Sequence, residues 1–195
     1  DKYQGLPIQV PKNYYPGDDD TQPPLMSWRA HASITGGSSK PDVSADFVGS
    51  VRMYLEKELV AAPGFTGELP TGTKFTFTIA LLEQIPSEAK AISLSYAPAQ
   101  YSDGTAAETS ATMTDGQFTV ILEAEQNVTM TGLPEGMYQI IEATIPSYAN
   151  AFAHIASDNT ETVQPTQTTA DGQMYTEILV EPQAEAKVKC TNTYP

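Results

Sequence analysis

The chain has little cysteine, little positive charge and no long apolar run. One cysteine among 195 residues excludes a disulfide within the chain. Ten Lys and Arg residues stand against 24 Asp and Glu residues, a formal net charge of −14. Phosphate backbones and anionic membrane surfaces would repel such a chain, so we expect neither nucleic acid nor membrane as a partner. No stretch is long and apolar enough to span a membrane.

The residue sets of common catalytic and metal sites are also missing. Two histidines, His31 and His154, are too few for a zinc site or a catalytic triad. The acidic run Asp18 to Asp20 lacks the spacing of a calcium-binding EF-hand. We therefore expect no metal, no cofactor and no enzyme in the sense of repeated turnover.

What is present is typical of an extracellular β-protein. Hydrophobic residues make up 40% of the chain and charged residues only 17%, while Thr, Ser, Gly and Pro are plentiful. From residue 51 onward, apolar residues alternate in short segments separated by turn signals such as Asp115-Gly116, Gly132 to Gly136 and Asp171-Gly172. This pattern predicts an all-β sandwich. Helical periodicity is weak, with one short helical turn expected near Ser147 to His154.

The first part of the chain differs in composition from the rest. Residues 1–46 are rich in Pro, Gly, Asp and Ser, which indicates an arm or linker. Alternation from Met26 to Ile34 predicts one strand within it. We therefore expect an extended arm at 1–46 and one sandwich domain at 47–195.

Two predicted strands, near opposite ends of that domain, each point a polar side chain inward. Lys57 lies in phase with four apolar residues of its segment, Val51, Met53, Leu55 and Leu59. Asn192 lies in phase with three, Ala186, Val188 and Cys190. Burying an unpaired amine is costly, and an amine held against a carboxamide can remove that cost by joining it with loss of ammonia. The alternatives are that the Lys57 amine reaches solvent at a strand edge and that Asn192 is an unpartnered edge residue.

Four segments together resemble a known family. They are KELVAAPG (57–64), KFTFTIAL (74–81), GLPEGMYQIIEA (132–143) and VKCTNTY (188–194). In this order they resemble the isopeptide-forming domains of Gram-positive pilins and surface adhesins, most closely the streptococcal T-antigen type of backbone pilin. The resemblance covers about residues 51–194. It implies an Ig-like Greek-key sandwich of the collagen-adhesin B type, in which Lys57 bonds to Asn192 and Glu142 promotes the reaction.

The chemistry of these three residue types agrees with that implied role. Burial lowers the pKa of a lysine and raises that of a carboxylic acid, so the amine becomes a neutral nucleophile and the acid a proton donor. A protonated carboxyl group can polarise the amide carbonyl and pass a proton to the departing ammonia. The strand around Glu142 is apolar on both faces, so its phase does not fix where Glu142 points. Glu177 is the alternative acid.

The resemblance also implies a place and a set of partners. The chain would be an extracellular pilus subunit or a cell-wall-anchored adhesin, joined by sortase to other pilin subunits or to the wall. Lys12, in Pro11-Lys12-Asn13, is the candidate intersubunit lysine, although it could equally be a solvated lysine of the arm. Lys40, Lys74 and Lys90 are the other lysines that could serve.

A ligand-binding module is the rival interpretation. Two stretches, about 84–117 and 146–173, read as long loops, and loops of that length are often functional. An adhesin tip would use such loops to bind a host protein or glycan. Tyr96, Tyr101 and Tyr148 are the aromatic residues that could line its site.

Overall fold

The computed structural model describes the strands at 26–33 and 42–49 and then residues 51–83, 85–182 and 184–195. The chain divides into two compact units, Asp1–Ser50 and Val51–Pro195. Strands are the only regular structure of the described residues, and no helix there is long and apolar enough to cross a membrane.

The first unit contains one antiparallel pair of strands. Strand β1 (Met26–Ser33) pairs with β2 (Asp42–Gly49) in a register that runs from Met26 opposite Gly49 to Ser33 opposite Asp42. Strand β1 lies where alternation predicted a strand. Strand β2 continues past residue 46, where we expected the arm to end. Lys12 lies outside the described residues, so its role stays a prediction.

The second unit consists of two sheets. The seven-stranded sheet contains β3 (Arg52–Ala61), β5 (Lys90–Ala97), β6 (Ser110–Met113), β8 (Asn127–Thr131), β10 (Ala149–Ile155), β11 (Glu161–Val163) and β14 (Glu185–Tyr194). The five-stranded sheet contains β4 (Phe75–Leu81), β7 (Gln117–Leu122), β9 (Gly136–Glu142), β12 (Gln167–Thr168) and β13 (Met174–Val180). Their orders are β11-β10-β14-β3-β8-β5-β6 and β12-β13-β9-β4-β7. The all-β sandwich predicted from the alternation is confirmed.

The hydrophobic core of this unit is built from the inward faces of both sheets. Buried and half-buried residues alternate along β3 and β4, as period-2 strands require. Tyr138 on β9 is among the largest fully buried side chains, and its hydroxyl donates a hydrogen bond of 2.8 Å to the carbonyl of Pro134. A buried tyrosine hydroxyl needs such a partner, because an unsatisfied one would be costly.

The first and last strands of the unit lie side by side. Strand β14 pairs in parallel with β3 over ten residue pairs, from Glu185 opposite Arg52 to Tyr194 opposite Ala61. On its other edge β14 pairs antiparallel with β10. A parallel pair cannot be closed by a hairpin, so the rest of the domain forms the connection between these two strands.

Two expectations for the second unit are wrong. The helical turn expected near Ser147 to His154 is instead strand β10, whose backbone is held by β14 and β11. The stretches expected to be long loops also contain strands, β5 and β6 within 84–117 and β10, β11 and β12 within 146–173. Pairing with distant strands provides the hydrogen bonds here, and local sequence does not encode that pairing.

The tyrosines considered for a ligand site belong to the core. Tyr96 and Tyr101 are only 8% and 7% exposed, and their rings pack edge to face with centroids 6.4 Å apart. The half-buried Tyr148 packs its ring against Phe75 at 5.8 Å. The aromatic site that the ligand-binding interpretation requires is therefore not formed by these three residues.

Candidate functional site: a buried lysine with one glutamate and two asparagines

Lys57 is buried among apolar side chains in the middle of β3. The residue is 2% exposed, so its amine does not reach solvent at a strand edge. The Nζ atom donates hydrogen bonds to the backbone carbonyls of Glu58 at 3.0 Å and of Cys190 at 3.2 Å. It also lies 4.2 Å from the centroid of the Phe75 ring. The amine is therefore held against the backbone of the last strand, beneath an aromatic ring of the facing sheet.

Glu142 approaches the amine from the five-stranded sheet. It is the last residue of β9, it pairs with Phe77 of β4, and it is 1% exposed. Its Oε1 atom lies 3.8 Å from Lys57 Nζ, which is an ion-pair distance but too long for a hydrogen bond. Among the described residues Oε1 has no hydrogen-bond partner. The structure thus resolves the direction that strand phase left open: Glu142 points inward.

Asn192 lies on the neighbouring strand β14, on the same sheet face as Lys57. It is 1% exposed and follows Cys190, the register partner of Lys57, by two residues. Lys57 and Asn192 are thus diagonal neighbours on one face of the parallel β3–β14 pair. The carboxamide oxygen Oδ1 lies 3.7 Å from the Cys190 sulfur. The thiol is a weak donor to that oxygen.

Burial controls the protonation of the two nucleophilic groups. It lowers the pKa of Lys57, and the neighbouring Cys190, Glu142 and Glu58 counteract this only in part. Burial also raises the pKa of Cys190 well above its usual value. The amine thus becomes a better nucleophile at a given pH, whereas the thiol stays protonated and unreactive.

A row of aromatic rings closes this end of the core. The ring of Phe75 contacts Tyr148 at 5.8 Å, Tyr148 contacts Tyr194 at 5.3 Å, and Tyr194 contacts Phe65 at 5.1 Å, all edge to face. Of these rings, Phe75 lies directly against Lys57 Nζ and shields the amine from water on that side. In a dry site, the interactions of the amine and the carboxyl group are stronger than in water.

Asn150 is a member of the site that the sequence analysis missed. Its Nδ2 atom donates a hydrogen bond of 2.5 Å to Glu142 Oε2. It lies on β10 directly opposite Asn192. The sequence did contain a signal for an inward-pointing Asn150, because it alternates in period two with the buried Phe152. The interpretation of this segment as a helical turn led us to overlook it. The alternative acid, Glu177, is exposed, and among the described residues its carboxylate is contacted by Gln139 Nε2 at 3.5 Å.

Comparison with known proteins gives no match to any family model. Among solved structures, a pilus-presented adhesin is 18% identical with a TM-score of 0.48, over 75% of this chain and 27% of the adhesin. The major pilin protein T-13 from Streptococcus pyogenes is 14% identical with a TM-score of 0.44, over 91% of this chain and 64% of the pilin. Both TM-scores are below 0.5, so the fold assignment rests on the strand order of this chain itself.

Among curated proteins, homoserine O-acetyltransferases match a short part of the chain. Homoserine O-acetyltransferases of Cereibacter sphaeroides and Lachnoclostridium phytofermentans are 59% identical over 34 residues and 64% identical over 33 residues. The matched stretch is 17% of this chain and 11% of each enzyme, so the chain spans about a tenth of the length of these relatives. A match of this extent does not show the activity of the enzyme.

The lowered pKa of Lys57 predicts a pH-dependent stability when no bond can form. In Asn192→Ala, the folded chain should lose the Lys57 proton at a lower pH than the unfolded chain, whose value is near 10.5. Between those two pH values the unfolded state holds more protons, so the free energy of unfolding should rise with pH, by at most about 1.4 kcal/mol per pH unit. Below the folded-state pKa of Lys57 both states hold the proton, so this gain in the free energy of unfolding is absent.

Urea titrations over this alkaline range measure the effect. Asn192→Ala with Lys57→Met is the matched control, because the titrating groups that do not interact with Lys57 are shared and cancel in the difference. The difference therefore reports Lys57 together with the groups coupled to it, Cys190, Glu142 and Glu58. The stability of the lysine-containing variant should rise relative to the control as pH increases. Parallel curves would contradict a buried amine with a lowered pKa.

Proposed function

We propose that this domain cross-links itself through an isopeptide bond between Lys57 and Asn192, promoted by Glu142. The observation that supports this most is the burial of all three side chains, each at most 2% exposed, at the junction of the first and last strands. A buried lysine and glutamate that merely formed an ion pair would contribute little net stability, because both groups lose their hydration. Chemical joining of the amine and the amide removes the buried charge.

The reaction needs only the groups of this site. In this reaction the neutral form of Lys57 Nζ would attack Asn192 Cγ, while the acid form of the Glu142 carboxyl group would polarise the carbonyl by donating a hydrogen bond to Oδ1. Glu142 then carries the proton released from Nζ to Asn192 Nδ2. The Cγ–Nδ2 bond breaks, ammonia leaves and the Nζ–Cγ bond remains. Each chain reacts once, so it is its own substrate.

A bond at this position suits a protein that carries tension. When the two ends of the Val51–Pro195 unit are pulled apart, force enters at the start of β3 and leaves at the end of β14. A Lys57–Asn192 bond would carry this force directly between those strands, so that residues 58–191 would not be stretched. We therefore propose that the chain is a structural subunit or shaft domain of a sortase-assembled pilus or wall-anchored adhesin of a Gram-positive bacterium.

The mass of the folded protein tests the proposed bond. The purified chain should be lighter than its sequence by one ammonia, and peptide mapping should place the cross-link between Lys57 and Asn192. Lys57→Met and Asn192→Ala should each keep the full mass. A parent chain of uncyclised mass would refute the bond, and a cross-link from Lys57 to Asn150 would reassign its acceptor.

Removal of the acid should separate folding from bond formation. Glu142→Ala should still form the sandwich, because Glu142 supplies proton transfer and not sheet pairing, but it should keep its ammonia. Circular dichroism reports the fold and intact mass reports the bond. Glu177→Ala is the matched control and should react as the parent does. Normal ammonia loss in Glu142→Ala would show that another group acts as the acid.

Loss of the bond should lower stability substantially. By analogy with a disulfide that closes a loop of about 135 residues, the bond should contribute on the order of 5 kcal/mol through the unfolded state. Lys57→Met fills the space of the lysine without a buried charge, so its loss of stability reports mainly the bond. Lys90→Met, at an exposed lysine of β5, is the control. Thermal melting and protease resistance measure both, and equal melting temperatures would mean that no bond stabilises the fold.

A further inference from the structure

The two oxygens of the Glu142 carboxyl group have different surroundings. Oε2 accepts the 2.5 Å hydrogen bond from Asn150 Nδ2. Oε1 has no hydrogen-bond partner among the described residues and lies 3.8 Å from Lys57 Nζ. A carboxyl group that turned about its last carbon–carbon bond would exchange these positions. The hydrogen bond from Asn150 to Oε2 therefore helps to determine which oxygen faces the amine.

Asn150 reaches Glu142 from the strand next to the proposed acceptor. Strand β10 pairs with β14, and Asn150 stands opposite Asn192 in that register. The two carboxamides therefore lie side by side on one face of the seven-stranded sheet, opposite the end of β9. Asn150 Oδ1 is also buried without a hydrogen-bond partner among the described atoms. An amide with one buried, unsatisfied oxygen is an expensive way to fill space, because the lost hydrogen bond is not replaced.

We propose that Asn150 is a positioning residue for the Lys57–Asn192 reaction. It holds Glu142 Oε2 so that Oε1 faces the amine. This inference rests on the proposed cross-linking function and goes beyond it by adding a fourth residue. A proton relay depends on geometry first, since the relaying atom must lie within reach of both donor and acceptor. Asn150 provides that geometry without contacting the reacting atoms itself.

The same hydrogen bond disfavours Asn150 as the acceptor amide. Its Nδ2 atom, the nitrogen that would have to depart as ammonia, is the atom bound to Glu142. Among the described residues, the contact found for the amide of Asn192 is the weak one of its oxygen with the Cys190 thiol. Two neighbouring carboxamides thus have separate tasks: one orients the acid and the other is attacked.

The rate of bond formation tests the role of Asn150. The parent, Asn150→Leu and Asn150→Gln are made by cell-free translation, and samples are taken over time for intact mass and peptide mapping. Leu has the same branching and the same number of heavy side-chain atoms as Asn but no donor, and Gln restores the amide. We expect Asn150→Leu to lose ammonia at least tenfold more slowly than the parent and still to join Lys57 to Asn192. Asn150→Gln should recover most of the parent rate.

A second set of variants separates positioning from packing. The Leu and Gln substitutions are also made in Asn192→Ala, where no bond should form, and melting temperatures are compared there. Similar melting temperatures of the two variants in Asn192→Ala, together with different rates of ammonia loss when Asn192 is present, would support a positioning role for Asn150. If Asn150→Leu does not fold, Asn150→Ala replaces it as the variant without a donor.

Three results would overturn the inference. Asn150→Leu could react at the parent rate, Asn150→Gln could be as slow as Asn150→Leu, or the parent cross-link could map to Asn150. In the first two cases the parent still loses ammonia, so the proposed function stands and only the role of Asn150 fails. A parent that never loses ammonia would refute both.

Discussion

The amine of Lys57 in a water-free core is the constraint on which the rest of the site depends. A charged amine there has lost its hydration, and two backbone carbonyls and a carboxyl group at 3.8 Å replace it only in part. The pKa of Lys57 is lowered for this reason. The loss of hydration that disfavours a charged amine at this position also favours the neutral amine, which is the nucleophilic form. Stability and reactivity thus have the same physical origin.

The topology determines what that nucleophile can reach. Strand β14 inserts between β3 and β10, so Lys57 meets the last strand of the domain and not a sequence neighbour. Parallel pairing also brings the two ends of the unit to opposite ends of one ladder. A covalent link at this place spans nearly the whole domain, which gives it more influence on the unfolded chain than a link between adjacent strands would have.

The site belongs to both sheets. Lys57, Asn192 and Asn150 come from the seven-stranded sheet, whereas Glu142 and Phe75 come from the five-stranded one. The acid therefore meets the amine only after the two sheets have packed and the aromatic rings have closed over them. In the unfolded chain the reacting groups are solvated and far apart, and amine and amide do not react. The proposed bond formation would thereby be restricted to chains that have already folded.

Alternation with period two was sufficient to predict the sandwich and the inward phase of Lys57, Cys190 and Asn192, because side-chain direction in a strand is a local property. It could not orient Glu142, whose strand is apolar on both faces. The alternation at Asn150 was overlooked, because that segment was interpreted as a helical turn. Those two side chains are placed by contact between sheets and by the pairing of β10 with β14. Such contacts join residues that are distant in the chain, so the local periodicity of the sequence does not predict them.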